Sequence, residues 1–202
     1  RPYLTLTWAQ SLDAKIAGPR GARVILSGKE SMEMTHWMRA MHHGIVIGVN
    51  TLLLDNPRLQ VNLLPPALNL SPPAIFILDP NLRTPTSARI LTEWTTHMHI
   101  PGQTTAARPT ILCGAHMVWT ARYRELEAAG AAIFGMQLDK NGHIPPQGLV
   151  SIFTSLGIRS AMIEGGSRVI SSFLHAPKRE DGSAMIDSVV VTVAPMFIGD
   201  GV

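Results

Sequence analysis

Two glycines, Gly165 and Gly166, stand between Glu164 and the start of a helix-like segment, Ser167, Arg168 and Val169. Glycine lets backbone N–H groups approach a ligand closely. The first turn of a helix offers unpaired N–H donors at the positive end of its dipole. This junction therefore indicates either a cradle for a phosphate group or a tight turn with no ligand.

A second candidate segment lies upstream, where a short apolar run ends at Gly48. Thr51 and Asp55 follow four residues apart, a spacing that places them on one face of a short helical turn. Thr51 could cap that turn, and Pro57 ends it. The pattern suits a nucleotide site at the end of a strand, and it equally suits a structural strand, cap and turn.

Four further polar residues, Ser11, Asp13, Lys15 and Arg39, occur in otherwise apolar surroundings. Together with the two glycine segments they suit a site that holds a cofactor and a phosphorylated substrate. In such a site the cofactor supplies the reactive atom, and the protein binds and orients both molecules.

Several other kinds of site find no support in the chain. It has no P-loop and no Gly-x-Ser-x-Gly nucleophile elbow. Its one cysteine, Cys113, excludes an internal disulfide and a multi-cysteine metal site, and an apolar strand around it favours a buried, inert thiol. His97 and His99 lie in a Thr-rich segment that we expect to be a loop, so we expect no metal.

Composition points to one soluble domain over residues 1–202, with 46% hydrophobic and 15% charged residues. The net charge is +3, and the basic residues are scattered, so we expect no nucleic-acid partner. No apolar run reaches the roughly 18–20 residues that a membrane span requires. A single cysteine is typical of a reducing compartment, and we expect a cytoplasmic protein.

Hydrophobic patterning predicts an α/β fold with a largely parallel sheet, because strands alternate with helices. A capping box, Ser27 to Glu30, is expected to begin a helix whose core face carries Met34, Trp37, Met38 and Met41. The chain stops soon after its last strand, so we expect the full polypeptide to carry further C-terminal strands. Strands are predicted at 3–9, 44–48, 74–78, 110–113, 131–134, 160–163 and 188–194, and helices at 122–129, 147–156 and 166–174.

The motifs together resemble a known family. Residues 9–17 resemble the Ser-Leu-Asp-Gly-Lys-Ile-Ala stretch of the riboflavin-biosynthesis reductases, and the segments around Thr5 and Leu26 are most similar to its fungal monofunctional branch. The other matching segments follow in the order that the family uses, and they span nearly the whole chain: 26–31, 38–40, 48–57, 78–80, 164–166 and 194–199.

This resemblance implies a three-layer, dihydrofolate-reductase-like fold, a homodimer, and NADPH as cofactor. It implies reduction of the ribosylamino side chain of a pyrimidine 5′-phosphate to a ribitylamino chain. Glu164, or a water that it holds, is the candidate for proton transfer, although it could instead orient a ribose hydroxyl. The implied cofactor contacts are Ala9, Gly48, Thr51, Asp55 and residues 165–169. The implied substrate contacts are Arg39, Leu59 and Glu164.

The sequence departs from the family pattern at Ala14, where a glycine is usual, and at Asn62, where a basic residue is frequent. Three alternatives compete with the reductase. A dihydrofolate reductase fits the motifs less well. A bifunctional deaminase-reductase needs His-x-Glu and Pro-Cys-x-x-Cys, which one cysteine cannot supply. A non-catalytic nucleotide-binding module that keeps the fold remains open.

Overall fold

The computed structural model of the chain describes residues 1–97 and 107–202. Within these ranges, no helix combines the length and the apolar character needed to cross a membrane. Three short 3₁₀ turns, at 19–21, 66–68 and 115–117, lie between the longer elements. In chain order those elements are β1 (Tyr3–Ser11), α1 (Lys29–Met41), β2 (Gly44–Gly48), α2 (Val49–Asp55), β3 (Ala74–Leu78), α3 (Arg89–His97), β4 (Thr110–Gly114), α4 (Ala121–Ala128), β5 (Ala132–Met136), α5 (Pro146–Ser155), β6 (Ser160–Glu164), α6 (Ser167–Leu174) and β7 (Ser188–Ala194).

In the described part of the chain, the strands form one seven-stranded sheet in the order β5-β4-β3-β2-β6-β1-β7. Every pair of neighbouring strands is parallel. Parallel neighbours require crossover connections, which the helices supply. All seven carboxyl ends therefore lie along one edge of the sheet, and the predicted α/β class with a parallel sheet is confirmed.

Two apolar layers enclose the sheet, because successive residues of a strand point to opposite faces. On one face Ile45 of β2 belongs to a cluster that includes Leu91 of α3 and residues of α2 and α4. On the other face Val46 belongs to a cluster with Phe153 of α5 and residues of α6. The result is a helix–sheet–helix arrangement of three layers.

Most of the predicted boundaries agree with the structure. The strands at 44–48, 74–78 and 188–194 are confirmed as predicted, and the remaining predicted strands and helices differ by at most two residues at either end. The short turn expected at Thr51 is helix α2, which begins earlier, at Val49. Strong apolar runs bounded by Gly and Pro explain this agreement.

Helix α3 was not predicted, and placing His97 in a loop was wrong, since that residue belongs to the helix. His99 lies outside the described residues. Threonine has a low helix propensity, but here the hydroxyl of Thr95 donates to the Leu91 carbonyl at 2.6 Å, and Thr96 bonds in the same way to Thr92. Burial of Leu91 in the core outweighs the propensity.

The start of α1 differs from the predicted capping box. The helix begins at Lys29, its N-cap is Gly28, and no side chain caps it. Ser27 therefore lies one residue too early to accept a hydrogen bond from the first turn. Glu30 is already the second residue of the helix.

The predicted core face of α1 is confirmed at Met38 and wrong at its other three residues. Met38 is buried, but the side chains of Met34, Trp37 and Met41 are 39%, 37% and 67% exposed. The helix instead turns polar residues such as Arg39 toward the sheet, which carries polar side chains at this point. The apolar spacing was right for a helix, but the helix covers a polar cavity rather than the core.

Candidate active site

A cavity of about 790 Å³ opens beside the carboxyl ends of β1 and β6 and the start of α2. Its walls come from separate parts of the chain, namely β1, the β1–α1 loop, α1, α2 and the β6–α6 turn. The sequence-predicted site residues that line it are Ala9, Arg39, Thr51, Asp55, Glu164, Gly165 and Gly166.

Other predicted site residues lie outside the lining of this cavity. Leu59 is only 3% exposed and belongs to the apolar core. It lines a second cavity of about 480 Å³ together with Asn62. Ser167 and Arg168 are exposed in the first turn of α6. Because the Leu59 side chain is buried, we expect a ligand to meet the backbone of this residue, which has a φ of +56°.

The central feature of the cavity is an ion pair. The Arg39 guanidinium donates from Nε to Oε1 of Glu164 at 2.9 Å and from Nη2 to Oε2 at 2.9 Å. A third, longer bond of 3.4 Å runs from Nη1 to the Gln60 carbonyl. A guanidinium has five N–H donors, so two remain for a ligand. The pair fixes the orientation of the carboxylate at the end of β6.

The glycines at the strand ends serve close packing. A Cβ on Gly48 would lie 2.9 Å from the Val169 side chain, and a Cβ on Gly165 would lie 2.7 Å from it. Val169 therefore fills the space between the ends of β2 and β6. At Gly166, by contrast, a Cβ would meet nothing within 4 Å, so this glycine leaves room at the start of α6.

Two helices begin side by side at this edge. β2 and β6 are neighbours in the sheet, and α2 and α6 follow them directly. No side chain caps α2, whose N-cap is Gly48, or α6, whose N-cap is Gly166. The backbone N–H groups of the first turn of α6 are the donors that an anion such as a pyrophosphate requires. The residues present at this site therefore fit an anionic group such as the pyrophosphate of a nucleotide cofactor.

The β1–α1 loop forms a wall of the cavity, and the resemblance of residues 9–17 to the family covers only its first part. Ile16, Ala17, Arg20 and Arg23 line the cavity from this loop. No sequence pattern indicated which way its arginines face.

Asp13 ties this loop to the chain segment after β7. Its carboxylate accepts hydrogen bonds from the Ser11 hydroxyl and from the backbone N–H groups of Ile198 and Gly199, the last at 2.8 Å. These bonds, led by the one from Ser11, lower the pKa of Asp13 to about 2. Asp13 therefore has a structural role at the base of the cavity wall.

Other titratable groups are accounted for without a ligand. His36 lies on the buried face of α1; burial lowers its pKa, and the Arg39 charge lowers it further. Burial, assisted by the Asp79 charge, raises the pKa of Cys113 to about 11, so the thiol is buried and inert as predicted. Across residues 1–97 and 107–202, no three His, Cys, Asp or Glu side chains gather in a way that could hold a metal ion.

Comparison with known proteins gives a consistent result. The family described as the RibD C-terminal domain matches residues 2–202. The chain is 32% identical to the 2,5-diamino-6-ribosylamino-4(3H)-pyrimidinone 5′-phosphate reductase of Candida glabrata, covering 98% of this chain and 77% of that protein. It is 32% identical to the reductase of the same name from Debaryomyces hansenii, covering 100% of this chain and 78% of that one.

Solved structures agree on the fold. The riboflavin biosynthesis reductase of Saccharomyces cerevisiae superposes with a TM-score of 0.70 over 100% of this chain and 77% of its own, at 24% sequence identity. The fold is thus the dihydrofolate-reductase-like α/β fold. A reductase of this family implies a nucleotide cofactor. The chain belongs to the RibD C-terminal domain family and is an oxidoreductase of the riboflavin-biosynthesis type.

Proposed function

We propose that this chain uses NADPH to reduce 2,5-diamino-6-ribosylamino-4(3H)-pyrimidinone 5′-phosphate, converting the ribosylamino side chain to ribitylamino. The fungal relatives carry the name of this activity over nearly the whole of this chain. The observation that carries the proposal is the cavity itself, in which seven predicted site residues from separate segments line one space large enough for a cofactor and a substrate.

The cofactor is assigned to the glycine side of the cavity. Gly165 and Gly166 open the first turn of α6, where uncapped N–H groups suit the pyrophosphate. Ala9, Thr51 and Asp55 would line the rest of its path. The other residues assigned to the cofactor shape the turn around the pyrophosphate. These residues are Gly48, Ser167, Arg168 and Val169.

The substrate is assigned to the side of the cavity that holds Arg39 and Glu164. Beyond these two residues, the substrate would contact the backbone of Leu59. When bound, the reduced nicotinamide supplies a hydride. The reaction adds hydride to C1′ of an open-chain imine, the C=N electron pair moves to nitrogen, and nitrogen ends the step carrying a proton. A carboxylate beside this centre stabilises the positive charge of the protonated imine. We assign that role to Glu164, either directly or through a water that delivers the proton.

Arg39 has two tasks in this scheme. Its bidentate contact orients Glu164, and its two remaining N–H groups are available to the substrate, including its phosphate. An ion pair of this kind fixes one orientation of the carboxylate, which favours a defined geometry at the reacting carbon.

The proposal includes a homodimer, which the family resemblance implies, and a cytoplasmic location. A free, buried thiol at Cys113 agrees with a reducing compartment. Sedimentation equilibrium of the purified chain checks the oligomeric state: a dimer supports this part of the proposal and a monomer refutes it.

The activity is tested by following loss of the NADPH absorbance with the diamino substrate, with its deaminated analogue, and with dihydrofolate. Turnover of the diamino compound supports the proposal. Preference for the deaminated compound would change the substrate, and activity on dihydrofolate alone would overturn the assignment.

A further inference from the structure

The arginines that line the cavity differ in their partners. Arg39 is held by Glu164 through two bonds of 2.9 Å. Arg23 lies 3.6 Å from Asp55, with its side chain 76% exposed. Both carboxylates in the lining of the cavity therefore face an arginine already.

Arg20 is the remaining cation of the cavity wall. In the part of the chain that the structure describes, no carboxylate lies within ion-pair distance of it, and its side chain makes no hydrogen bond. Its guanidinium keeps all five N–H donors available. Among the described side chains that line this cavity, the charge at Arg20 is therefore the one without a carboxylate opposite it.

The backbone at Arg20 is left-handed, with φ +57° and ψ +23°, between Pro19 and Gly21. This conformation is unfavourable for a residue with a Cβ, whereas glycine or asparagine adopts it readily. Strained residues of this kind tend to occur at functional sites.

We propose that Arg20, with Arg23 beside it, forms a subsite for a phosphate monoester. Such a group carries a charge of about −1.5 to −2 and three acceptor oxygens, which match a guanidinium in charge and geometry. The inference rests on the proposed function, which brings two phosphate monoesters to this cavity: the 5′-phosphate of the substrate and the 2′-phosphate of NADPH. In this proposal Arg23 turns from its 3.6 Å contact with Asp55 and donates hydrogen bonds to the same phosphate group.

The test compares Arg20→Gln with Arg124→Gln. Arg124 is exposed on α4, lies outside the cavity lining, and loses the same charge on substitution. Equilibrium dissociation constants are measured for NADPH and NADH by quenching of tryptophan fluorescence, and for the diamino substrate with and without its phosphate by calorimetry. A charged hydrogen-bond pair predicts a weakening of about tenfold or more for the ligand whose phosphate Arg20 holds.

The two sources give different results, and either supports the subsite. Weaker NADPH with unchanged NADH assigns the subsite to the 2′-phosphate. Weaker phosphorylated substrate with an unchanged dephosphorylated form assigns it to the 5′-phosphate. Arg20→Lys should recover part of the affinity for the same phosphorylated ligand that Arg20→Gln weakens.

Equal loss for the phosphorylated and unphosphorylated members of both ligand pairs, or no loss beyond that of Arg124→Gln, would overturn the proposal. Because these are binding measurements, a wild-type protein that binds both ligands without turnover would refute the proposed function alone.

Discussion

The guanidinium of Arg39 on α1 donates two hydrogen bonds of 2.9 Å to the carboxylate of Glu164 at the end of β6. Their side chains are 12% and 21% exposed, so water screens the pair only partly. Removing either partner leaves the other charge partly buried without its hydrogen bonds. The two residues should therefore act as one unit in catalysis.

Glu164→Gln should lower kcat by about tenfold or more while the NADPH dissociation constant changes less than about twofold. Glutamine keeps the shape of the side chain but cannot carry a full negative charge or a proton. Steady-state kinetics and equilibrium cofactor binding measure the two effects separately. If KM rises and kcat does not fall, Glu164 only positions the substrate.

The same unit is probed with Arg39→Ala and the double variant. Residues that act together have non-additive effects, so the double variant should lose little more kcat/KM than the worse single variant. Arg39→Ala should also weaken phosphorylated substrate more than cofactor. Effects that multiply in the double variant would mean that the two side chains work independently.

Gly166→Val should weaken NADPH binding by about tenfold or more while leaving Tm nearly unchanged, because a Cβ there meets no protein atom but intrudes on the space for the pyrophosphate. Gly165→Ala is the matched control. Its Cβ would lie 2.7 Å from Val169, so this smaller change should lower Tm. Calorimetric unfolding and fluorescence titration of both variants give the comparison. Unchanged cofactor affinity in folded Gly166→Val would place the cradle elsewhere.

Ala14→Gly should stabilise the fold by about 0.5 kcal/mol. Ala14 has a φ of +58°, which costs an alanine about 1 kcal/mol, partly offset by the greater flexibility of glycine in the unfolded chain. Urea denaturation measures the change. Ala40→Gly, inside α1, should have the opposite sign, and destabilisation by both substitutions would contradict the explanation.

Asp13 should make stability depend on pH in the acid range. Hydrogen bonds hold the pKa of its carboxyl at about 2, below the ordinary 3.8. Above the ordinary value the stabilisation is fully present, and it is lost as pH falls from about 4 to about 2, because the unfolded chain takes up the proton first. Asp13→Asn should therefore be less stable than wild type at about pH 6, and the gap should narrow at about pH 3. A gap that is independent of pH would contradict this account.

Sequence patterns were sufficient for most of the fold, because apolar runs such as residues 44–48 and 74–78 are bounded by glycine or proline and become buried strands. They failed for α3, whose threonines lower helix propensity although Leu91 is buried in the core. They also failed for α1, since periodicity identifies a helix but cannot tell whether its partner layer is apolar or polar.

Part of the candidate site could also be predicted from local sequence patterns. Glycines and polar residues that follow apolar runs, such as Gly48 and Glu164, mark the carboxyl edge of a parallel sheet. The bond between Arg39 and Glu164 joins residues 125 positions apart, and no local pattern encodes it. The direction in which Arg20 faces depends likewise on how the β1–α1 loop folds back over the cavity.

The most direct test of the central claim is a reduction assay with the diamino ribosylamino substrate and NADPH, with the product identified by mass spectrometry. We expect the wild-type chain to consume NADPH and to yield a product heavier than the substrate by two hydrogens, and we expect Glu164→Gln to bind both ligands but to turn over slowly. A wild-type chain that binds NADPH and substrate yet forms no ribitylamino product would contradict the account and make it a nucleotide-binding module.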